Sequence, residues 1–197
     1  MINRALAPEL QTIKHIDFLK PRVFDVSPNV HLYWNENVPN DTSRVDLYFD
    51  AGTILGTIGV ASFVNGLLLS GTKEQTSIEI NESIDALGGF FESGVSNENA
   101  VISIYALKEN MLPVLRIIRD STHGAIFPEQ EVDELLIDRK QKFLVNMGKV
   151  NFLAQRAFQQ RLFSDSIYGR VSDVKDFDSI SRQEISDSKL SLLKRGK

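Results

Sequence analysis

The sequence predicts an α+β fold, a mixed, mostly antiparallel sheet with helices packed on one face. Three observations lead there. Stretches with strand-like alternation come in neighbouring sets, at residues 30–36 with 44–52 and again across 89–107. Helical patterns follow these sets in pairs, whereas a doubly wound sheet would alternate strands strictly with helices. The 197 residues, 42% of them apolar, suffice for one sizeable core and leave little for a second.

Residues 1–22 read as an extended lead-in, because Pro8 and Pro21 discourage a long helix. VHLYWNE, residues 30–36, alternates and carries aromatic and β-branched side chains, so it predicts a strand; NVPNDTS after it is turn chemistry. RVDLYFDAG sets Val45, Leu47 and Phe49 on one face against Arg44, Asp46, Tyr48 and Asp50 on the other. That is a half-buried strand. A helix follows over residues 59–69. A second opens at Thr76 or Ser77 as N-cap, with Glu79 in its first turn and an Ile80, Ile84, Leu87 stripe, and stops at Gly88-Gly89. GFFESGVSNENAVISIYAL predicts two strands joined through SNEN. The third helix, residues 110–124, carries Pro113 in its first turn, where the missing N–H costs nothing. Residues 128–163 open on a proline and acids, suited to a helix N-terminus, and predict one long helix bent at Gly148. The close, SDSKLSLLKRGK, is polar and then basic. The expected organisation is therefore a lead-in at 1–22, a single domain at 23–190 and a frayed basic end at 191–197.

Composition excludes several functions. With 22 Lys and Arg against 26 Asp and Glu, no basic surplus exists to neutralise a phosphate backbone, so no nucleic-acid partner is expected. The absence of cysteine removes disulfides, thiolate metal sites and a cysteine nucleophile. No apolar run approaches the roughly 20 residues that cross a bilayer, and the N-terminus has no secretory core, so a cytoplasmic protein without a membrane partner is expected. His15, His31 and His123 sit too far apart for paired ligation, and the cluster Glu129, Glu131, Asp133 and Glu134 is explained by its place at a helix start. No G-x-x-x-x-G-K-[ST] phosphate loop is present.

The most informative stretch is GVASFVNGLLLSGT, residues 59–72. Ser62, Asn65 and Gly66 place small or amide side chains on an otherwise apolar helix. On the residues alone, Ser62 and Gly66, four apart, would let another element pack closely.

AGT at 51–53, this stretch, IEINESIDALGGFFESGVSNENAVISIYAL and FPEQEVDELLIDRKQK together resemble the insulinase/pitrilysin-type metallopeptidases, a group that includes mitochondrial processing peptidase. AQRAFQQRLFSDSIYG and DFDSISRQEI extend the likeness, which covers residues 25–187. In such enzymes the first helix carries H-x-x-E-H: two histidines hold zinc and the glutamate activates water. The family's G-x-A-H-F-x-E-H-x-x-x-x-G-T falls here on Gly59, Ala61, Ser62, Phe63, Asn65, Gly66, Gly71 and Thr72. Ser62 and Gly66 stand where the histidines belong, and Asn65 where the general base belongs. A third ligand, a glutamate, is expected in the long helix, where Gln141, Lys142 and Phe143 stand. Serine is a poor zinc ligand, glycine has no side chain, and an amide cannot take up a proton near neutral pH.

The resemblance therefore implies an inactive homologue, with degenerate ligand positions Ser62, Gly66 and Lys142, a degenerate base position Asn65, and no cofactor. It also implies that the chain is the N-terminal half of a two-domain subunit. Such a subunit pairs with a zinc-bearing subunit of the same family around a peptide-binding chamber, or with a second copy of itself. In related enzymes an extended peptide adds to the edge strand after the second helix. Here that segment is Glu92, Ser93, Gly94, Val95, Ser96 and Asn97, and an unfolded peptide is the expected guest. Two rival functions remain: an active zinc metalloendopeptidase with displaced ligands, and a stand-alone peptide-binding module.

Overall fold

The computed structural model describes residues 15, 16, 18–36 and 41–195, and the backbone alone for 190–195. Most of the lead-in expected at 1–22 lies outside the described residues. Chain contacts divide the protein into two units, Met1–Pro39 and Asn40–Lys197.

The first unit is a two-stranded antiparallel ribbon, β1 (Arg22–Ser27) and β2 (Val30–Trp34), turning through Pro28-Asn29. The sequence predicts β2 but not β1. RVFDVS sets Val23 and Phe24 side by side, so it lacks clean alternation, and Pro21 and Pro28 bracket the run.

In the second unit the sheet is β3 (Thr42–Phe49), β4 (Phe90–Val95) and β5 (Ala100–Leu107), ordered β3-β5-β4. Every pairing among the described residues is antiparallel, so the parallel member that a mixed sheet would contain is absent from them. The register aligns Val45 with Ile104 and Ile104 with Phe91, and Leu47 with Ile102. The alternation seen in the sequence therefore delivers one continuous apolar face. Ser103, on the other face, sits between Asp46 and Glu92, and Arg44 donates to both Asp46 (2.8 Å) and Ser103 (3.3 Å).

The apolar face meets α1 (Val60–Leu67), α2 (Ser77–Asp85) and α3 (Met111–Gly124) in one core, in which Phe63, Ile80, Ile84, Ile102, Ile104, Val114, Ile118, Phe127 and Ile185 are fully buried. Each such side chain contributes about 1.5–3 kcal/mol relative to exposure. Thr76 caps α2 in a full capping box: its hydroxyl accepts from Glu79 N–H, and Glu79 accepts from Thr76 N–H at 2.8 Å.

The long helix divides. α4 (Glu129–Met147) ends at Gly148, and Lys149 is extended before α5 (Val150–Leu162) starts. This is a break rather than the bend the sequence suggests. α5 has no buried residue of its own, and the joint is set by Phe152 packing edge-on against Phe143, with ring centres 5.9 Å apart. After a short 3-10 turn at Ile167–Gly169 come α6 (Val174–Ser179) and α7 (Arg182–Arg195). α7 runs through the polar close that composition marks as frayed. Ile185 enters the core, and the buried Lys189 ammonium donates to the carbonyls of His123 and Ala125, each at 2.8 Å. Amphipathic lysine in a polar run hides that anchoring from a sequence pattern. No helix among the described residues is long and apolar enough to cross a membrane.

Candidate functional site

Gly59 starts α1 with a φ of 88°, a conformation that suits glycine, and its carbonyl accepts from Ser62 and Phe63 N–H. Val60, Phe63, Val64 and Leu67 then point into the core. Ser62 and Gly66 are left on the side facing α4, four residues apart and therefore stacked one turn above the other.

The side chain that reaches this face is Arg139, from the middle of α4. Its Nη1 donates to Ser62 Oγ, and its Cζ lies 4.6 Å from the centre of the Phe63 ring. A Cβ added to Gly66 would come 2.5 Å from Arg139 Nη2. The guanidinium therefore occupies the space that side chains at 62 and 66 would share. Burial pushes the Arg139 pKa below its ordinary value, and a guanidinium still keeps its charge.

Asn65 serves a different purpose. It is 5% exposed, and its Nδ2 donates to the carbonyl of Gly94 at 3.0 Å, tying α1 to β4. Its Oδ1 is buried without a hydrogen-bond partner. A carboxylate here could not make the bond to Gly94, because an ionised carboxylate has no proton to donate. Lys142 lies one turn beyond Arg139 on α4. Its side chain is 72% exposed and pairs with Asp138 at 2.7 Å. Ser62, Arg139 and Lys142 line one cavity, whereas Asn65 and Gly66 line another beside Glu131, Glu134 and Asp138. In that acidic group Glu131 accepts from Ser77 at 2.5 Å and Glu134 from Gln130 at 2.8 Å. Among the described residues no three His, Cys, Asp or Glu side chains converge as a metal site would require.

The zinc that the sequence motif implies does not fit these residues. A fixed cation is already seated between Ser62 and Gly66, and serine, glycine and lysine supply no negative charge and at most one weak ligand atom to hold a divalent ion. Arg139 is the residue that sequence patterning misses. The available hint is that its position precedes Lys142 by three, placing both on one side of α4.

Of the six residues proposed to meet a peptide, Glu92, Ser93, Gly94 and Val95 lie in β4, which among the described residues pairs only with β5. Ser96 and Asn97 lie past the strand. Their carbonyls accept from Thr53 and Ile54 N–H at 3.0 and 3.1 Å. A Cβ on Gly52 would overlap the Asn97 carbonyl, so only glycine allows this approach.

Comparison with known proteins places the chain in a family and fold. The family model for insulinase (peptidase family M16) matches residues 33–170. An uncharacterized zinc protease of Rickettsia bellii is 28% identical over 115 residues, covering 58% of this chain and 28% of its own length. Mitochondrial-processing peptidase subunit beta of Rattus norvegicus is 24% identical over 161 residues, covering 78% of this chain and 32% of its own. The chain thus spans about a third of these curated relatives or less. The crystal structure of the peptidase M16 inactive domain from Pseudomonas fluorescens superposes with a TM-score of 0.80 at 20% identity, over 87% of this chain and 43% of that one. The α+β fold is shared with it.

Proposed function

We propose that this chain, which belongs to the insulinase family of peptidases (peptidase family M16), is a non-catalytic member that pairs with a zinc-bearing subunit and helps to form a peptide-binding chamber. One observation carries the reading: the Arg139 guanidinium sits on Ser62 and against Gly66, where the family's metal-binding histidines would stand. Two further features support it. The Asn65 amide, at the position of the general base, is spent on holding Gly94 of the edge strand. A similar solved structure is that of an inactive domain, and a relative is by name one subunit of a peptidase. Main-chain pairing along β4 demands little of side chains, so peptide binding is compatible with loss of the catalytic groups.

The test is a mixture of the purified chain with the zinc-bearing family member from the same cells. Co-elution on gel filtration is expected, together with tighter binding of an unstructured peptide than either protein gives alone. Stoichiometric zinc in the isolated chain, with chelator-sensitive cleavage of that peptide, would overturn the reading in favour of an active peptidase. Full peptide affinity without the partner would favour a stand-alone module.

A further inference from the structure

A concavity of about 540 Å³ in the second unit lies between α1, α4, α5 and the segment that follows the 3-10 turn. Its charge is one-sided. Arg139, Lys142, Arg156 and Arg170 line it, and no aspartate or glutamate does. The chain as a whole carries a formal charge of -4, so this pocket inverts the molecule's balance.

The four cations are not equally committed. Lys142 is paired with Asp138, which lies outside the cavity lining. Arg170 donates to the carbonyl of Ile54 at 2.7 Å and fixes the rim. Arg139 has the Ser62 hydroxyl and the Phe63 ring, and Arg156 lies 5.3 and 5.7 Å from the ring centres of Phe143 and Phe152. Aromatic faces orient a guanidinium and leave its N–H fork free. Withdrawing Arg139 from water is unfavourable: burial pushes its pKa down, and the nearby Asp138 charge offsets only part of that. Asn97 and Gln155 also line the cavity, adding amides that can donate to an anion. Asn97 further places the cavity at the end of β4, next to the edge on which a peptide would lie.

We infer that this cavity receives a carboxylate of the bound peptide, held by Arg139 and Arg156, and so makes the chain selective for acidic peptides. The inference deepens the proposed peptide-binding role and rests on it. A planar carboxylate matches the guanidinium fork in two parallel hydrogen bonds, which a neutral amide cannot reproduce. The carboxylate can come from an Asp or Glu side chain or from the peptide's C-terminus.

The test measures fluorescence anisotropy of a dye-labelled unstructured peptide with the full chain, alone and with its zinc-bearing partner. Four peptides are compared: internal Glu or Gln, each with a free or amidated C-terminus. At low salt at least one carboxylate is expected to improve affinity about tenfold, with the preference shrinking in high salt. The position at which neutralisation abolishes the preference identifies its source. Arg156→Gln and, separately, Arg139→Gln are expected to erase the preference; melting curves check that both fold, and Arg139→Lys should retain part of it. Equal affinity for all four peptides, or a preference that survives in a folded Arg156→Gln protein, would overturn the inference and leave the peptide-binding role standing. Binding of none of the peptides under either condition would overturn both.

Discussion

Substituting Gly66 by alanine should destabilise the protein, although the same exchange in an unobstructed helix stabilises it. Alanine in a helix interior is worth up to about 1 kcal/mol over glycine, and less near the end of α1. Against this, the new methyl would stand 2.5 Å from Arg139 Nη2, while its other neighbour, Leu135 Cδ2 at 3.4 Å, is an ordinary contact. The guanidinium must move. It would loosen a charge-assisted bond to Ser62, worth about 1.5–3 kcal/mol, and its place over Phe63, worth about 1 kcal/mol. A flexible side chain recovers part of that, so a net loss of about 1 kcal/mol is expected for Gly66→Ala. In an Arg139→Ala background the obstruction is gone, and the same exchange should stabilise by about 0.5–1 kcal/mol. Urea denaturation of the four proteins, followed by circular dichroism, measures the coupling, expected near 2 kcal/mol. If Gly66→Ala stabilises both backgrounds alike, Arg139 is not seated against Gly66.

Two further substitutions probe the supports of the site. Lys189→Met should cost about 2 kcal/mol at neutral pH, because it leaves the His123 and Ala125 carbonyls without their donor. Burial lowers the Lys189 pKa, so the folded state sheds its proton before the unfolded state does; the unfolded state then binds more protons and stability rises with pH. The wild type should therefore gain on Lys189→Met as pH rises towards the ordinary lysine pKa of about 10.4, as read by melting temperature. Thr76→Ala should cost about 1 kcal/mol through loss of the cap on α2. Hydrogen bonds from the Thr76 backbone and hydroxyl hold the Glu79 carboxyl below the usual range. That stabilisation is present above the unfolded-state pKa and lost as pH falls through the folded one, so the defect of Thr76→Ala should shrink in acid.

Much of the fold was legible because its signals are local. β3 alternates cleanly, Thr76 and Glu79 sit at capping spacing, and SNEN joins two strands of strong β composition. Where the sequence misled, the deciding contact was distant. α7 is held by Ile185 in a core assembled from α1, α2, α3 and β5, and by Lys189 reaching the His123 and Ala125 carbonyls at the end of α3. The joint between α4 and α5 depends on Phe143 meeting Phe152 across the break. β1 escapes because Val23 and Phe24 break its alternation and Pro21 and Pro28 flank it.

The site was legible only in what it lacks. Ser62, Asn65 and Gly66 depart from the metal-binding pattern that the stretch resembles, but nothing in the residues 59–72 says what fills the space. The answer lies 77 residues further on from Ser62, in an arginine on α4 that looks like any solvated charge on an amphipathic helix. With Arg139 in place the substitutions explain one another. A histidine at 66 and the guanidinium would exclude each other sterically, so the glycine is a condition for the arginine's seat. The serine hydroxyl is small enough to leave that seat open and still accepts its hydrogen bond. The amide at 65 does what a carboxylate cannot, donating to Gly94 and holding the edge strand against α1. This face of α1 is thus built around a permanent positive charge, and a histidine at 62 or 66 or a glutamate at 65, introduced alone, would meet a neighbour already committed to another task.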